Sequence, residues 1–225
     1  MKNKIKILFV DDHFMVLKGL ISLLEQMTDF TFDIDFKRNC DDAYQAIIFA
    51  EASNPYDILF TDLRFTESNG EINSGEELIN QTKQVAPNLK IGVITGQVET
   101  NSVFNVILNQ QPLAYILKSN CTKSELSFAI QKMLKNENYY THEIHQKLLR
   151  RKIVEISMDE ISIQILKELP QHTRLSNLVG HIKNESGHIL KIRSIENKLT
   201  DLRIALNAVN NTDLVLKAKE LGIIN

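Results

Sequence analysis

The chain has 225 residues, 43% of them hydrophobic and 24% charged, and a net charge of −2. That length suits one large domain or two modest ones with a real core, and the charge balance carries no global signal for nucleic acid. The apolar run in "MKNKIKILFV" stops after six residues, too short for a secretory segment or a membrane span, and no later stretch approaches a span. Cys40 and Cys121, the two cysteines, have neither disulfide-framework nor metal spacing, so a reducing cytoplasm is expected and no membrane partner is.

The first 135 residues alternate between two hydrophobic periods. Strands are expected at "IKILFV" (5–10), "TFDIDF" (31–36), "DILFT" (57–61), "KIGVIT" (90–95) and "LAYIL" (113–117). Three of these five are nearly continuous apolar runs, as strands covered on both faces require. Helical patterns follow each strand, and the last, "TKSELSFAIQKMLK", opens on a capping box of Thr122 and Glu125. The repeats predict an α/β domain with a five-stranded, doubly wound parallel sheet, which binds ligands beyond the carboxyl ends of its strands. Residues 136–152 read as a polar linker containing a short basic helix. Residues 153–225, with 9 basic and 9 acidic side chains, read as a small all-α domain with helices near 158–169, 173–183, 193–207 and 211–221.

The strand tips carry the chemistry. Asp11 and Asp12 end the first strand, Asp62 the third, Thr95 the fourth and Lys118 the fifth. Two adjacent aspartates repel each other at the end of a hydrophobic strand, and a cation cancels that repulsion. With Asp62 they supply hard oxygen ligands suited to Mg²⁺. Asp62 can act as a carboxylate nucleophile toward a phosphoryl group, with Lys118 neutralising the transferred charge and Thr95 donating to a phosphoryl oxygen.

This set resembles the receiver domain of a bacterial two-component response regulator over residues 1–135, with the flavodoxin-like fold that implies. The resemblance implies that a sensor histidine kinase phosphorylates Asp62. It further implies that the backbone carbonyl of Arg64 joins Asp11, Asp12 and Asp62 around the metal. Thr95 and Tyr115, the latter at the aromatic switch position, would then move inward and reshape the face of the fourth helix, fifth strand and fifth helix. The segment "DLRFTESNGEINSGEEL" departs from the family: it lacks the usual Met-Pro, and its loop is several residues long if "SGEEL" opens the third helix. Such an insertion is cheap in loop-closure entropy.

In the C-terminal region, Ile195, Leu199, Leu202 and Leu206 form one apolar stripe, while Arg193, Asn197 and Thr200 share the opposite face, flanked by Glu196, Lys198 and Arg203. Arg and Asn suit base edges, and Lys and Arg suit phosphates. "YYTHEIHQKLL", "ISMDEISIQIL", "LSNLVGHI" and "RSIENKLTDLRIALNA" resemble the linker and LuxR-type helix-turn-helix of the NarL/FixJ family. That resemblance implies double-stranded DNA as partner, contacted by Arg193, Asn197, Lys198, Thr200 and Arg203. It also implies a homodimer, at least when phosphorylated, with the last helix as dimer surface. Asp159 and Glu196 depart from the family's basic residues, and the turn "KNESGHILKI" is a few residues longer than usual.

Two alternatives follow from these departures. One is an output domain that binds a protein; the other is an Asp-nucleophile phosphohydrolase. The second would want a carboxylate where Arg64 stands, so the expectation is a receiver that accepts and loses its own phosphoryl group, not a multiple-turnover enzyme. His142, His145, His172, His181 and His188 show no ligand spacing, and no metal site is expected among them.

Overall fold

A computed structural model describes residues 4–66, 70–172 and 174–224, with the backbone alone for 153–157. The chain divides into two compact units, residues 1–98 with 105–144, and 99–104 with 145–225. The long acidic loop is described except for Glu67, Ser68 and Asn69, and Thr173 of the expected 173–183 helix also lies outside the described residues.

The first unit alternates β1 (Lys4–Val10), α1 (Phe14–Glu25), β2 (Thr31–Lys37), α2 (Cys40–Glu51), β3 (Ile58–Thr61), α3 (Gly75–Val85) and β4 (Lys90–Thr95). It continues through the part of α4 (Thr100–Gln110) from residue 105 onward, β5 (Ala114–Leu117), α5 (Lys123–Leu134) and β6 (Tyr139–Tyr140). All strands pair in parallel, in the order β2-β1-β3-β4-β5-β6. β3 and β5 are buried along their whole length, which is why they read as unbroken apolar runs. β2 lies at the edge and keeps Asp33 and Asp35 partly exposed, a charged border that discourages further strand addition.

The expected five-stranded sheet has a sixth strand. Asn136 adopts φ 58° at the end of α5 and turns the chain back, so Tyr139 and Tyr140 pair with Ala114 and Tyr115. Two residues inside a polar stretch offer no periodicity to read. Beneath the sheet, Ile7, Phe9, Ile58, Phe60, Ile116 and Ile130 are core residues, with Phe9 and Phe60 stacked at 5.5 Å.

The second unit contains most of α6 (His142–Ser157), then α7 (Glu160–Glu168), α8 (Ile192–Ala205) and α9 (Asn211–Glu220). Ile165, Leu166, Leu178, Ile195, Leu199 and Leu202 share its core, so the apolar stripe of α8 faces inward as its spacing required. The helix expected at 173–183 is absent from the described residues. Only Leu175–Leu178 forms a 3₁₀ turn, and Gly180 at φ 106° ends it. A hairpin follows, closed by the Lys183–Ile189 bridge and turned by Gly187 at φ 79°. Asn184 Oδ1 accepts from the backbone N–H groups of Ser186 (3.1 Å) and His188 (2.9 Å), a side-chain substitute for helical pairing. The residues preceding α8 are thus a helical turn and a hairpin instead of a full helix, within a unit that is otherwise helical.

Candidate functional site

The sheet order reverses between β1 and its two neighbours, and the crevice outside the carboxyl ends of β1 and β3 opens there. Val10 pairs with Thr61, and the Asp62 N–H donates to the Val10 carbonyl at 2.9 Å. That register sets Asp11 and Asp62, the next residues of each strand, side by side. Thr95 pairs with Leu117, so Lys118 emerges from the same rim.

Asp11 and Asp62 are both buried. Lys118 Nζ joins them, 2.7 Å from Asp11 Oδ2 and 2.6 Å from Asp62 Oδ2. Burial opposes the lysine's charge, yet its hydrogen bonds to Asp11 and Asp62 and their negative charges hold its pKa above the ordinary value. The other Asp62 oxygen, Oδ1, accepts from the Leu63 N–H at 2.6 Å, while Thr61 Oγ1 donates to the Asp62 carbonyl at 2.7 Å. Both oxygens of the Asp62 carboxylate are therefore held, Oδ2 by Lys118 and Oδ1 by the Leu63 N–H.

Asp12 stands beside them under different control. Thr66 donates to Asp12 Oδ2 through its N–H (2.9 Å) and its hydroxyl (2.5 Å). His13 Nδ1 lies 2.7 Å from Asp12 Oδ1 and 3.3 Å from Asp11 Oδ1. Burial raises the Asp12 pKa, but the Thr66 hydrogen bonds and His13 outweigh it and leave the carboxyl below its ordinary value. His13 touches the pocket, and Thr66 is a pocket residue that sequence reading missed; its position in a loop of unusual length hides it. The loop is anchored further along, where Asp41 Oδ1 accepts from the N–H groups of Glu71 (3.1 Å) and Ile72 (3.3 Å). Arg64 bridges Ser74 in antiparallel fashion, and Ser74 caps α3 by accepting from the Glu77 N–H, so "SGEEL" does open the third helix.

The donors suit a hard divalent cation. Asp11, Asp12, His13 and Asp62 present ligand atoms within 4.8 Å of one another. Asp12 Oδ1 is buried with His13 Nδ1 at 2.7 Å as its polar neighbour, and its further lone pair is of the hard-oxygen kind that a divalent cation takes. Thr95 ends β4 and Tyr115 lies in β5, and both are buried. Thr95 Oγ1 accepts from the Gln97 N–H at 3.3 Å, and the Tyr115 hydroxyl donates to the Gln97 carbonyl at 3.4 Å. The Tyr115 ring is fully buried.

No family model matches the chain. A response regulator protein VraR of Staphylococcus saprophyticus is 28% identical over 222 residues, which is 98% of this chain and 99% of that protein. The RcsB response regulator of Salmonella typhimurium superposes with a TM-score of 0.62 at 19% identity, over 95% of this chain and 97% of that one. An RcsB–DNA complex superposes with a TM-score of 0.57 at 18% identity, covering 97% and 99%. Over nearly its whole length the chain is thus similar to response regulators in sequence and in fold.

The second unit places the expected DNA-contact residues unevenly. Arg193, Asn197 and Thr200 lie exposed on α8. Lys198 instead forms an ion pair with Asp159, which caps α7 by accepting from Ser162 N–H (2.9 Å) and Oγ (2.6 Å). Those hydrogen bonds, from Lys198 first and then Ser162, hold the Asp159 pKa down at about 2. Arg203 donates to Thr200 Oγ1 (3.0 Å) and to Asn211 Oδ1 (3.3 Å), tying α8 to the start of α9. No described helix is long and apolar enough to cross a membrane. Burial pushes the thiols up, Cys40 to about 12 and Cys121 to about 11, which leaves neither poised as a redox sensor.

Proposed function

We propose that the regulator is switched by phosphorylation of Asp62 by a sensor histidine kinase, and that the switch controls DNA binding and transcription. The observation that carries this reading is Lys118 Nζ bridging the buried carboxylates of Asp11 and Asp62 at 2.7 and 2.6 Å. A nucleophilic carboxylate, a neutralising cation and a hard-ligand set in one crevice are the parts that phosphoryl transfer requires. Asp62 Oδ bonds to phosphorus as the donor's bond to phosphorus breaks. Lys118 then moves its charge from the free carboxylate to the phosphoryl oxygens, and the Thr95 hydroxyl donates a hydrogen bond to one of them. Asp11, Asp12, Asp62 and the Arg64 carbonyl would hold Mg²⁺, which neutralises charge on the transferred group when bound. Accepting and losing one phosphoryl group is a switch, not multiple turnover.

The output end of the reading rests on the exposed Arg193, Asn197 and Thr200 of α8 and on likeness to an RcsB solved with DNA. Paired half-sites would call for a homodimer, formed at least when Asp62 is phosphorylated. The domains would run 1–135, 136–152 and 153–225, in a cytoplasmic protein. A second reading, an output unit that binds a protein instead, is favoured by the engagement of Lys198 with Asp159 and of Arg203 with Thr200 and Asn211.

The deciding experiment is selection of genomic fragments by the full chain, with and without beryllofluoride plus Mg²⁺, alongside Asp62→Ala. Enrichment that rises with the mimic and fails in the variant supports the phospho-switched transcription factor. Folded protein that takes up the mimic and enriches nothing removes DNA and leaves the protein-partner reading.

A further inference from the structure

Three side chains spread over fourteen positions of sequence meet in the output unit, well away from the strand-tip carboxylates in the chain. Glu168 ends α7, His172 follows the 3₁₀ turn of Leu169–Gln171, and His181 follows the turn of Leu175–Leu178. Their ligand atoms lie within 4.8 Å of one another. One carboxylate oxygen, Glu168 Oε2, faces both imidazoles, 3.3 Å from His172 Nε2 and 3.8 Å from His181 Nδ1. The two rings are 4.7 Å apart, centre to centre.

We propose that Glu168, His172 and His181 form a binding site for a borderline divalent metal of the Zn²⁺ class. Two imidazole nitrogens and one carboxylate oxygen are a ligand set that Zn²⁺ takes with a fourth position left to water. Zinc bonds of about 2.0–2.1 Å at tetrahedral angles put neighbouring ligand atoms about 3.4 Å apart, close to the 3.3 and 3.8 Å observed. The ligands therefore need only a small movement to coordinate. A hydrogen bond to Glu168 accounts for His172 at 3.3 Å but not for His181, which at 3.8 Å lies beyond hydrogen-bond distance. A metal ion instead uses both rings neutral, through their lone pairs.

The supports of the site are firm at each corner. His172 N–H donates to the Leu169 carbonyl (3.4 Å) and His181 N–H to the Leu178 carbonyl (3.1 Å). Leu169, Leu178 and Ile182 are core residues of the unit, so the backbone carrying the ligands cannot drift far without breaking that core. The site spans the stretch where a helix is replaced by 3₁₀ turns and a hairpin. A metal joining the end of α7 to residue 181 would brace the connection leading into α8 without the missing helical hydrogen bonds. Sequence spacing hides the set, because positions 168, 172 and 181 match no familiar ligand motif.

The test is Zn²⁺ titration of the full chain carrying Asp12→Asn and Asp62→Asn, so that the receiver carboxylates do not compete, with Co²⁺ absorption as a second readout. The expected result is one equivalent of bound Zn²⁺, a tetrahedral Co²⁺ spectrum with nitrogen ligation, and a rise in melting temperature with metal. His181→Ala, at a half-exposed side chain whose loss leaves the fold intact, should weaken Zn²⁺ at least tenfold and abolish the Co²⁺ spectrum. Glu168→Gln and His172→Asn should act likewise. Zn²⁺ binding that is absent, or that survives His181→Ala unchanged, overturns the site.

Discussion

Lys198, on the exposed side of α8, is ion-paired to Asp159, the residue that caps α7. One carboxylate therefore both starts a helix and occupies a cation that the DNA reading assigns to phosphate. Asp159→Asn separates the two roles, because Asn caps as well as Asp but cannot pair with lysine. Stability is expected to change by less than about 0.5 kcal/mol, since an exposed pair contributes little after screening. Affinity for non-specific DNA should rise, with a log–log salt slope steeper by about 1. An unchanged slope would show that Lys198 does not reach phosphate.

The same carboxylate sets an acid-side dependence. Its folded pKa of about 2 lies below the ordinary 3.8, so the native state favours the ionised form. That contribution is fully present above 3.8 and is lost as pH falls from 3.8 toward 2. Asp159→Ala should remove the cap, costing about 1 kcal/mol at neutral pH, and the deficit relative to the parent should shrink as pH falls through that window. Urea unfolding of both proteins from pH 7 down to 2.5 measures it.

Lys118 holds two buried carboxylates together, and its removal leaves them facing each other. Lys118→Ala is expected to destabilise the receiver unit by about 3 kcal/mol in chelator, the low end for breaking a buried pair, because the lysine side chain is 19% exposed. Mg²⁺ should restore much of the loss, and its effect on melting temperature should be larger in the variant than in the parent, as binding to the native state alone dictates. Equal Mg²⁺ shifts in both proteins would count against a metal seated at these carboxylates.

The receiver was legible because its chemistry sits at strand tips. Asp11, Asp62, Thr95 and Lys118 are each fixed by the end of an apolar run, and parallel register then brings them together. Thr66 was not legible, since nothing in a loop's composition says which hydroxyl folds back 54 positions onto Asp12. β6 was missed because two tyrosines have no period. The 173–183 segment misled in the opposite direction: "LSNLVGHI" spaces its apolar residues as a helix would, but Gly180 takes a left-handed φ that ends the turn. The pairing of Asp159 with Lys198 is tertiary and invisible to any local pattern.

Gly75 opens α3 directly against the acceptor strand. A Cβ there would come within 1.9 Å of the Asp62 carbonyl oxygen and 2.9 Å of Leu63 Cα, and both are backbone, so neither can swing aside. Gly75→Ala should therefore destabilise by about 2 kcal/mol, in the range of forced overpacking, despite alanine's better helix propensity. Because the displaced atoms belong to Asp62 and Leu63, beryllofluoride uptake should weaken together with stability. A control at Gly19, where nothing lies within 4 Å of the added methyl, should stabilise α1 instead and leave uptake unchanged. Denaturant midpoints and fluorescence-free calorimetric titration of the mimic separate the two effects.

Tyr115 is fully buried, and its hydroxyl donates to the Gln97 carbonyl at 3.4 Å. Tyr115→Phe removes the hydroxyl and should cost about 1 kcal/mol, the net worth of a typical hydrogen bond, whereas Tyr115→Ala should cost about 3–5 kcal/mol through the cavity it opens. The buried ring also bears on the proposed switch. If phosphorylation acts by favouring an inward state that the unmodified protein already visits, it selects a population and does not create a new position. A fluorine label on Tyr115 should then give the same buried resonance with and without beryllofluoride, with only its line width or population changing. A new resonance appearing with the mimic would mean that the ring moves to a place this structure does not contain.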